Sequence, residues 1–184
     1  MDEAKKVDID LILIVDEEEP TEDAAFILFR GRDFTVARRF EQQGFRVFNR
    51  SEVSRIANNK LSTFELAVML GVPTVETHKL YTASQIDRFP VVVKTADGFG
   101  GQEVHFCENK SEVEVIMTVY ADRLLIVQPY IETNATDVRF FILGQEILGA
   151  VKRTGASSFK SNYTLGGKIE KYKPTKRDEL MIEK

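Results

Sequence analysis

Short apolar runs separated by polar stretches bearing glycine, asparagine or proline organise the chain. Asp10 to Val15, Ala24 to Phe29 and Phe45 to Phe48 are compact runs of the kind that form strands. Between the last two, Asp33 offers an N-cap for a helix through Gln43. Phe34, Ala37 and Phe40 fall on one face of that helix, and Gly44 stops it. Strand, helix and strand at this spacing predict a βαβ unit with parallel strands. Asp2 to Val7 reads as the tail of an amphipathic helix leading straight into the first strand. A fuller domain of this type places another strand and helix upstream, so the chain is expected to begin late.

Beyond Arg50 the pattern changes. Ser51 to Ala57 is a short helix, and a second helix, capped by Ser62 with Glu65 three residues on, buries Leu66, Met69 and Leu70 before Gly71 and Pro73 end it. Val75 to His78 is a short strand, Ala83 to Arg88 a brief helix, Val91 to Val93 a buried strand and Glu103 to Cys107 the returning strand. Ser111 with Glu114 caps a helix carrying Val115, Ile116 and Val119. Leu124 to Val127 is a further buried strand, and Pro129 is expected to end its ladder and leave Gln128, Pro129, Tyr130 and Ile131 as a hinge.

Asp137 to Leu143 and Glu146 to Arg153 flank Gly144-Gln145 and predict a β-hairpin with a two-residue turn. In that register Leu143 faces Glu146, Phe141 faces Leu148, Arg139 faces Ala150 and Asp137 faces Lys152. Asp137, Arg139 and Lys152 then share one face, with Val138, Phe140 and Ile142 against the core. A strand from Lys168 to Lys173 and a helix opened by Pro174-Thr175 complete the pattern. The fold class predicted is α/β passing to α+β, divided into a partial βαβ domain at 1–52 and a larger domain at 53–184.

Composition narrows the function more than the fold. A formal net charge of −4 over 184 residues argues against a nucleic-acid binder working through a broad basic surface. The single cysteine, Cys107, excludes an internal disulfide and a multi-cysteine zinc site, and its apolar surroundings predict a buried, inert thiol. No run approaches the roughly 20 apolar residues that span a bilayer, and the acidic start is unlike a targeting signal. A cytoplasmic protein with no membrane and no nucleic-acid partner is the expectation. His78 and His105 lack companion ligands and read as structural, and no metal ligands are predicted.

The chemistry concentrates at Pro90 to Gly101. Lys94 at a strand end supplies a fixed positive charge, and Gly98, Gly100 and Gly101 let backbone N–H groups approach an anion without a Cβ in the way. The lysine precedes the glycines and no Gly-Lys-Ser/Thr follows, so this is not a Walker loop. A strand ending in a surface lysine and a glycine-rich turn fits the same residues. Lys60, Lys94, Arg139, Lys152 and Lys160 together provide the cations that polyphosphate binding needs; Asp137 opposite Lys152 also fits a plain cross-strand salt bridge.

Seven motifs in order resemble the ATP-grasp fold, and within it the RimK-like carboxylate-amine (glutamate) ligases: Asn59 to Ser62, Val92 to Lys94, Asp97 to Gly101, Gln128 to Ile131, Asp137 to Arg139, Lys152-Arg153 and Phe159 to Asn162. The resemblance covers roughly Phe26 to Lys184. It implies a partial pre-ATP-grasp domain followed by an ATP-grasp domain that binds ATP between two α+β lobes. Lys94 would contact phosphate with Lys60 assisting, and Gly98, Gly100 and Gly101 would close over the nucleotide. Gln128, Pro129, Tyr130 and Ile131 would meet the adenine edge, and Asp137 would lie in the ATP pocket. Arg139 and Lys152 as catalytic groups, with Lys160, Ser161 and Asn162, would face the phosphates and the acyl acceptor. The implied reaction forms an acyl phosphate from a carboxylate and ATP, and an amine of an amino acid, peptide or protein tail then displaces phosphate.

Three departures from the family pattern stand out. Pro129 replaces a usual acidic residue, and lysines replace common arginines at 152 and 160, keeping charge but losing the bidentate fork. The family's Mg2+ ligands, an Asp and a Glu-x-Asn pair, would lie beyond the helix near Thr175. The expectations are therefore weak nucleotide binding and poor or no turnover by this chain alone, Mg2+ use by the complete enzyme, and self-association through exposed apolar surface. A non-catalytic nucleotide-binding or scaffold domain, or an interaction domain without ligand, remain alternatives.

Overall fold

A computed structural model describes residues 2–15, 18–101, 103–155 and 167–183. They fall into two compact units, Met1–Arg55 and Ile56–Lys184.

In the first unit, strands β1 (Ile27–Leu28) and β2 (Val47–Phe48) pair in parallel, joined through helix α2 (Phe34–Gln42). The helix begins where sequence chemistry places it, with the Asp33 side chain accepting from the Thr35 N–H. Ala37 and Phe40 on its inner face pack with Ile27 and Val47. Helix α1 (Asp2–Lys5) precedes them. The predicted strand at Asp10 to Val15 does not form. Ile12 and Leu13 are each 74% exposed, and no described strand runs beside them; apolar, strand-favouring residues need a neighbouring ladder to become a strand.

The second unit opens with the end of α3 (Ser51–Ala57) and with α4 (Lys60–Met69). Helix α4 is capped by Asn59, whose side chain accepts from the Leu61 and Ser62 N–H groups, and not by Ser62 as predicted. Likewise α5 (Lys110–Val119) takes Asn109 as its cap, not Ser111. In both cases an asparagine upstream holds the extended backbone that a cap requires, while the serine is already helical.

A mixed-order antiparallel sheet follows, with β3 (His78–Lys79), β4 (Val91–Thr95), β5 (Val104–Cys107) and β6 (Leu125–Pro129) arranged β3-β6-β4-β5. Alternation sends Val91 and Val93 of β4 to one face, where they cluster with Leu125, Val127, Cys107 and Val113 of α5. Val92 and Lys94 go to the other face, opposite Gln128 and Ile126. Ile126 packs there with Leu61 of α4 and Ala96. Cys107 is buried as predicted, and burial raises its thiol pKa.

The β6 ladder runs through Pro129, two residues beyond the predicted end. The Tyr130 N–H still donates to the Pro90 carbonyl at 3.1 Å. Alternation therefore turns the proline's missing donor to the other side, past the end of β3, where no ladder bond is lost.

The hairpin β7 (Thr136–Leu143) and β8 (Glu146–Thr154) carries β9 (Lys168–Lys171) on its far side. Its turn is as predicted, with Leu143 opposite Glu146, but the register slips between Phe141 and Ile142. A bulge there leaves Leu148 without a partner and shifts every pair beyond it by one residue. Asp137 consequently faces Arg153, not Lys152, and Arg139 faces Val151, not Ala150. Lys152 lies with Val138 on the opposite face from Asp137 and Arg139, so the predicted polar trio does not share a surface. Helix α6 (Lys176–Ile182) starts at Thr175 with a reciprocal cap to Asp178.

Candidate nucleotide site

The first turn of α4 and the loop after β4 are tied together by one lysine. Lys60 is the first residue of α4, and its backbone N–H donates to the Ala96 carbonyl at 2.7 Å. Its ammonium donates to the Thr95 carbonyl at 3.0 Å and to the Gly98 carbonyl at 2.5 Å. One cation thus gathers the carbonyls where the strand becomes the glycine loop.

Gly98 has no room for a side chain, since a Cβ there would collide with the Thr95 hydroxyl and the Glu103 carboxylate. Gly100 and Gly101 take φ values of 64° and 77°, a region that strains any L side chain. The loop stems are joined by a hydrogen bond from Thr95 Oγ1 to Glu103 Oε2. Arg123, just before β6, reaches Asp97 at 2.7 Å and Glu103 at 3.5 Å. The Arg123 hydrogen bond is the main cause holding the Asp97 carboxyl below the ordinary aspartate range.

Lys94 lies on the sheet face opposite the α5 core, its ammonium donating to Gln128 Oε1 at 2.5 Å. Burial first, and the charge of Lys60 second, lower its pKa. Among the described residues its hydrogen-bond partner is a neutral amide, so the half-buried charge of Lys94 sits beside that of Lys60 with an amide, not a carboxylate, bonded to it. An anion placed there relieves both penalties.

Along the same strand end, the Phe106 and Tyr130 rings meet edge to face at 4.8 Å. The Tyr130 hydroxyl donates to Glu132 at 2.9 Å, which raises its pKa. Ile131 is half exposed next to it.

In the hairpin sheet, Arg153 grips Asp137 with a two-pronged contact, Nε to Oδ1 at 2.7 Å and Nη2 to Oδ2 at 2.5 Å. The Arg153 side chain is only 15% exposed, and the Asp137 hydrogen bond is the main cause raising its pKa. Arg139 and Lys152 are both exposed, on opposite faces.

The structure therefore brings together Lys60, Lys94, Gly98 and Gln128, with Gly100 and Gly101 in the same loop. Pro129, Tyr130 and Ile131 continue from Gln128 along the same chain. It separates Lys152 from Asp137 and Arg139. Lys160, Ser161 and Asn162 lie outside the described residues. Sequence reasoning missed Thr77, Glu103, Arg123 and Arg153 as partners. Only Arg153 carried a signal, the alternation of β8 once a bulge is allowed.

Comparison with known proteins agrees with this architecture. The family model of the RimK-like ATP-grasp domain matches residues 57–183. This chain belongs to the RimK-like ATP-grasp family. A Picosynechococcus protein named as a probable alpha-L-glutamate ligase is 30% identical, over 76% of this chain and 50% of that relative. The MG011 homolog of Mycoplasma pneumoniae, described as uncharacterized, is 26% identical over 92% of this chain and 60% of its own length. The crystal structure of a RimK domain ATP-grasp protein from Sphaerobacter thermophilus superposes with a TM-score of 0.61 at 22% identity, covering 72% of this chain and 56% of that one. That likeness establishes the mixed α+β ATP-grasp fold. The chain spans about half the length of the curated relatives it matches. Among the described residues no helix is long and apolar enough to cross a membrane.

Proposed function

We propose that this chain serves an ATP-dependent carboxylate-amine ligase and holds the nucleotide polyphosphate at Lys60, Lys94 and the Gly98 to Gly101 loop. The observation that carries the reading is Lys94, a partly desolvated cation beside Lys60 whose hydrogen-bond partner among the described residues is the Gln128 amide. The loop that follows Lys94 carries Gly100 and Gly101 in a left-handed conformation that a side chain would strain. In this reading Gln128 to Ile131 border the adenine, and Lys160, Ser161 and Asn162 lie toward phosphate and acceptor.

The implied chemistry has two steps. A carboxylate oxygen attacks the γ-phosphorus and ADP departs, then an amine attacks the acyl carbon, forms the C–N bond and releases phosphate. Cations and oriented N–H groups disperse the charge that builds on the phosphoryl oxygens. Arg139 supplies positive charge from the Asp137 face of the hairpin, and Lys152 would act from the other face. Asp137 contributes chiefly by fixing Arg153. Glutamate is the first amine to test, following the name carried by the Picosynechococcus relative. Magnesium suits such chemistry, but among the described residues no group of three or more His, Cys, Asp or Glu could hold a metal ion. Self-association through exposed apolar residues such as Ile12 and Leu13 belongs to the same proposal; a monodisperse monomer in light scattering would contradict it.

Calorimetric titration with ATP and ADP, with and without magnesium, tests the site on the wild type and on Lys94→Ala. The expected result is binding that weakens at least about ten-fold in the variant, the loss of one charge-assisted contact. Equal affinity in both proteins would remove Lys94 from the site and the proposal with it. ADP release that depends on both a carboxylate and an amine separates ligation from nucleotide binding alone.

A further inference from the structure

Thr77 belongs to none of the sequence motifs, yet it is 3% exposed and coupled through Gln128 to the lysine of the candidate site. Its hydroxyl donates to the Val75 carbonyl at 2.9 Å. That bond commits its one proton, so toward Gln128 it offers lone pairs only. Gln128 Nε2 donates to Thr77 Oγ1 at 2.7 Å, while Gln128 Oε1 accepts from Lys94 at 2.5 Å. An ammonium has donors and no acceptor, so both ends of the amide demand the same orientation. The flipped amide would set NH2 against the ammonium and carbonyl oxygen against a lone pair.

Topology makes this three-residue chain possible. Strand β6 lies between β3 and β4, with Val127 opposite His78 and Gln128 opposite Val92. The residue just before β3 is thereby delivered to one side of Gln128 and Lys94 to the other.

We propose that Thr77 is a positioning residue for the phosphate-binding lysine, locking the Gln128 amide so that its oxygen holds the Lys94 ammonium where an incoming phosphate meets it. The inference rests on the nucleotide reading above. A neutral acceptor suits this task better than a carboxylate would. It steadies a cation that burial and Lys60 both disfavour, and it leaves the positive charge uncancelled for the ligand. Held in advance, the side chain loses less rotamer freedom when the anion arrives.

The test compares the wild type with Thr77→Val, Thr77→Ser and Gln128→Met by two measurements. The first is the rate of Lys94 acylation by acetic anhydride in the ligand-free protein, resolved by mass spectrometry with exposed Lys110 as internal reference. A lysine without its acceptor is both freer and more often neutral. Thr77→Val and Gln128→Met should therefore raise the Lys94 rate about five-fold, the equivalent of one net hydrogen bond, with Lys110 unchanged. Thr77→Ser, which keeps the hydroxyl, should stay near the wild type. The second measurement is ATP affinity, expected to fall about five-fold in Thr77→Val and to recover in Thr77→Ser.

An unchanged Lys94 rate in both Thr77→Val and Gln128→Met overturns the proposal. So does a Thr77→Ser protein that behaves like Thr77→Val, because keeping the hydroxyl would then not preserve the effect. If Thr77→Val does not fold, Gln128→Met decides alone, with a raised rate required. Raised acylation in a protein that binds no ATP even as the wild type would sink the nucleotide reading and leave the positioning chain standing.

Discussion

Gly98→Ala should destabilise this protein through one identifiable bond. A Cβ at 98 would collide with Thr95 Oγ1 and Glu103 Oε2, and would stand 3.2 Å from Glu103 Cβ. Thr95 is 1% exposed and β-branched, so its hydroxyl cannot swing aside without another clash. Glu103 must withdraw, and the backbone at 98 must move off the Thr95 hydroxyl as well. What is lost is the hydrogen bond from a buried hydroxyl to a carboxylate, worth about 1.5–3 kcal/mol when the acceptor is charged and the donor is left unsatisfied. For a chain of this length each kcal/mol lowers the unfolding temperature by roughly 2–4 °C, so a fall of about 3–12 °C is expected. The discriminating measurement is a double-mutant cycle with Thr95→Ala, which removes both the hydroxyl and the obstacle. In that background Gly98→Ala should cost far less, giving a coupling of about 1.5 kcal/mol or more. Gly100→Ala, strained by its φ but facing open space, should remain additive with Thr95→Ala to within about 0.5 kcal/mol. Additivity for Gly98→Ala as well would show that the collision is not the reason for glycine there.

Other expectations follow from the same contacts. Arg123→Ala should speed amide exchange across Gly98 to Gly101 while changing global stability by no more than about 1 kcal/mol, since the pair to Asp97 is partly exposed and screened; unchanged exchange would mean that Arg123 does not hold the loop. Because Arg123 lowers the Asp97 pKa, the pair stabilises the fold above the ordinary aspartate range, and its contribution is lost as pH falls through the lowered folded-state value. An acid titration of thermal stability should therefore lose part of its acid limb in Arg123→Ala, and identical limbs would contradict the assignment. Arg153→Lys keeps the charge but not the fork and should cost about 1 kcal/mol in denaturant unfolding; a silent substitution would show that the two-pronged geometry contributes nothing.

Much of the site was readable along the chain because its parts are local. An apolar run ending in Lys94, glycines at 98, 100 and 101, and a helix beginning near Lys60 are signals carried by neighbouring residues, and each appears close to where periodicity placed it. The βαβ arrangement of the first unit was legible for the same reason, through the Asp33 cap and the Gly44 stop. Misplaced caps at α4 and α5 came from choosing the wrong member of a cluster of capping residues, which only the backbone conformation distinguishes.

The sequence by itself therefore determined most of the elements, the charge available to the site and the positions of its glycines. Tertiary structure decided which of those groups meet. A single bulged residue, Leu148, moved Lys152 to the far face and set Arg153 against Asp137. Strand order put β6 between β3 and β4, so that Thr77, Gln128 and Lys94 form one chain of hydrogen bonds although 51 and 34 positions separate the partners. Likewise Lys60 reaches Gly98 across 38 positions. Strand periodicity fixes only which face a side chain takes within its own strand, and a one-residue slip or a change of neighbour rewrites every cross-strand contact beyond it.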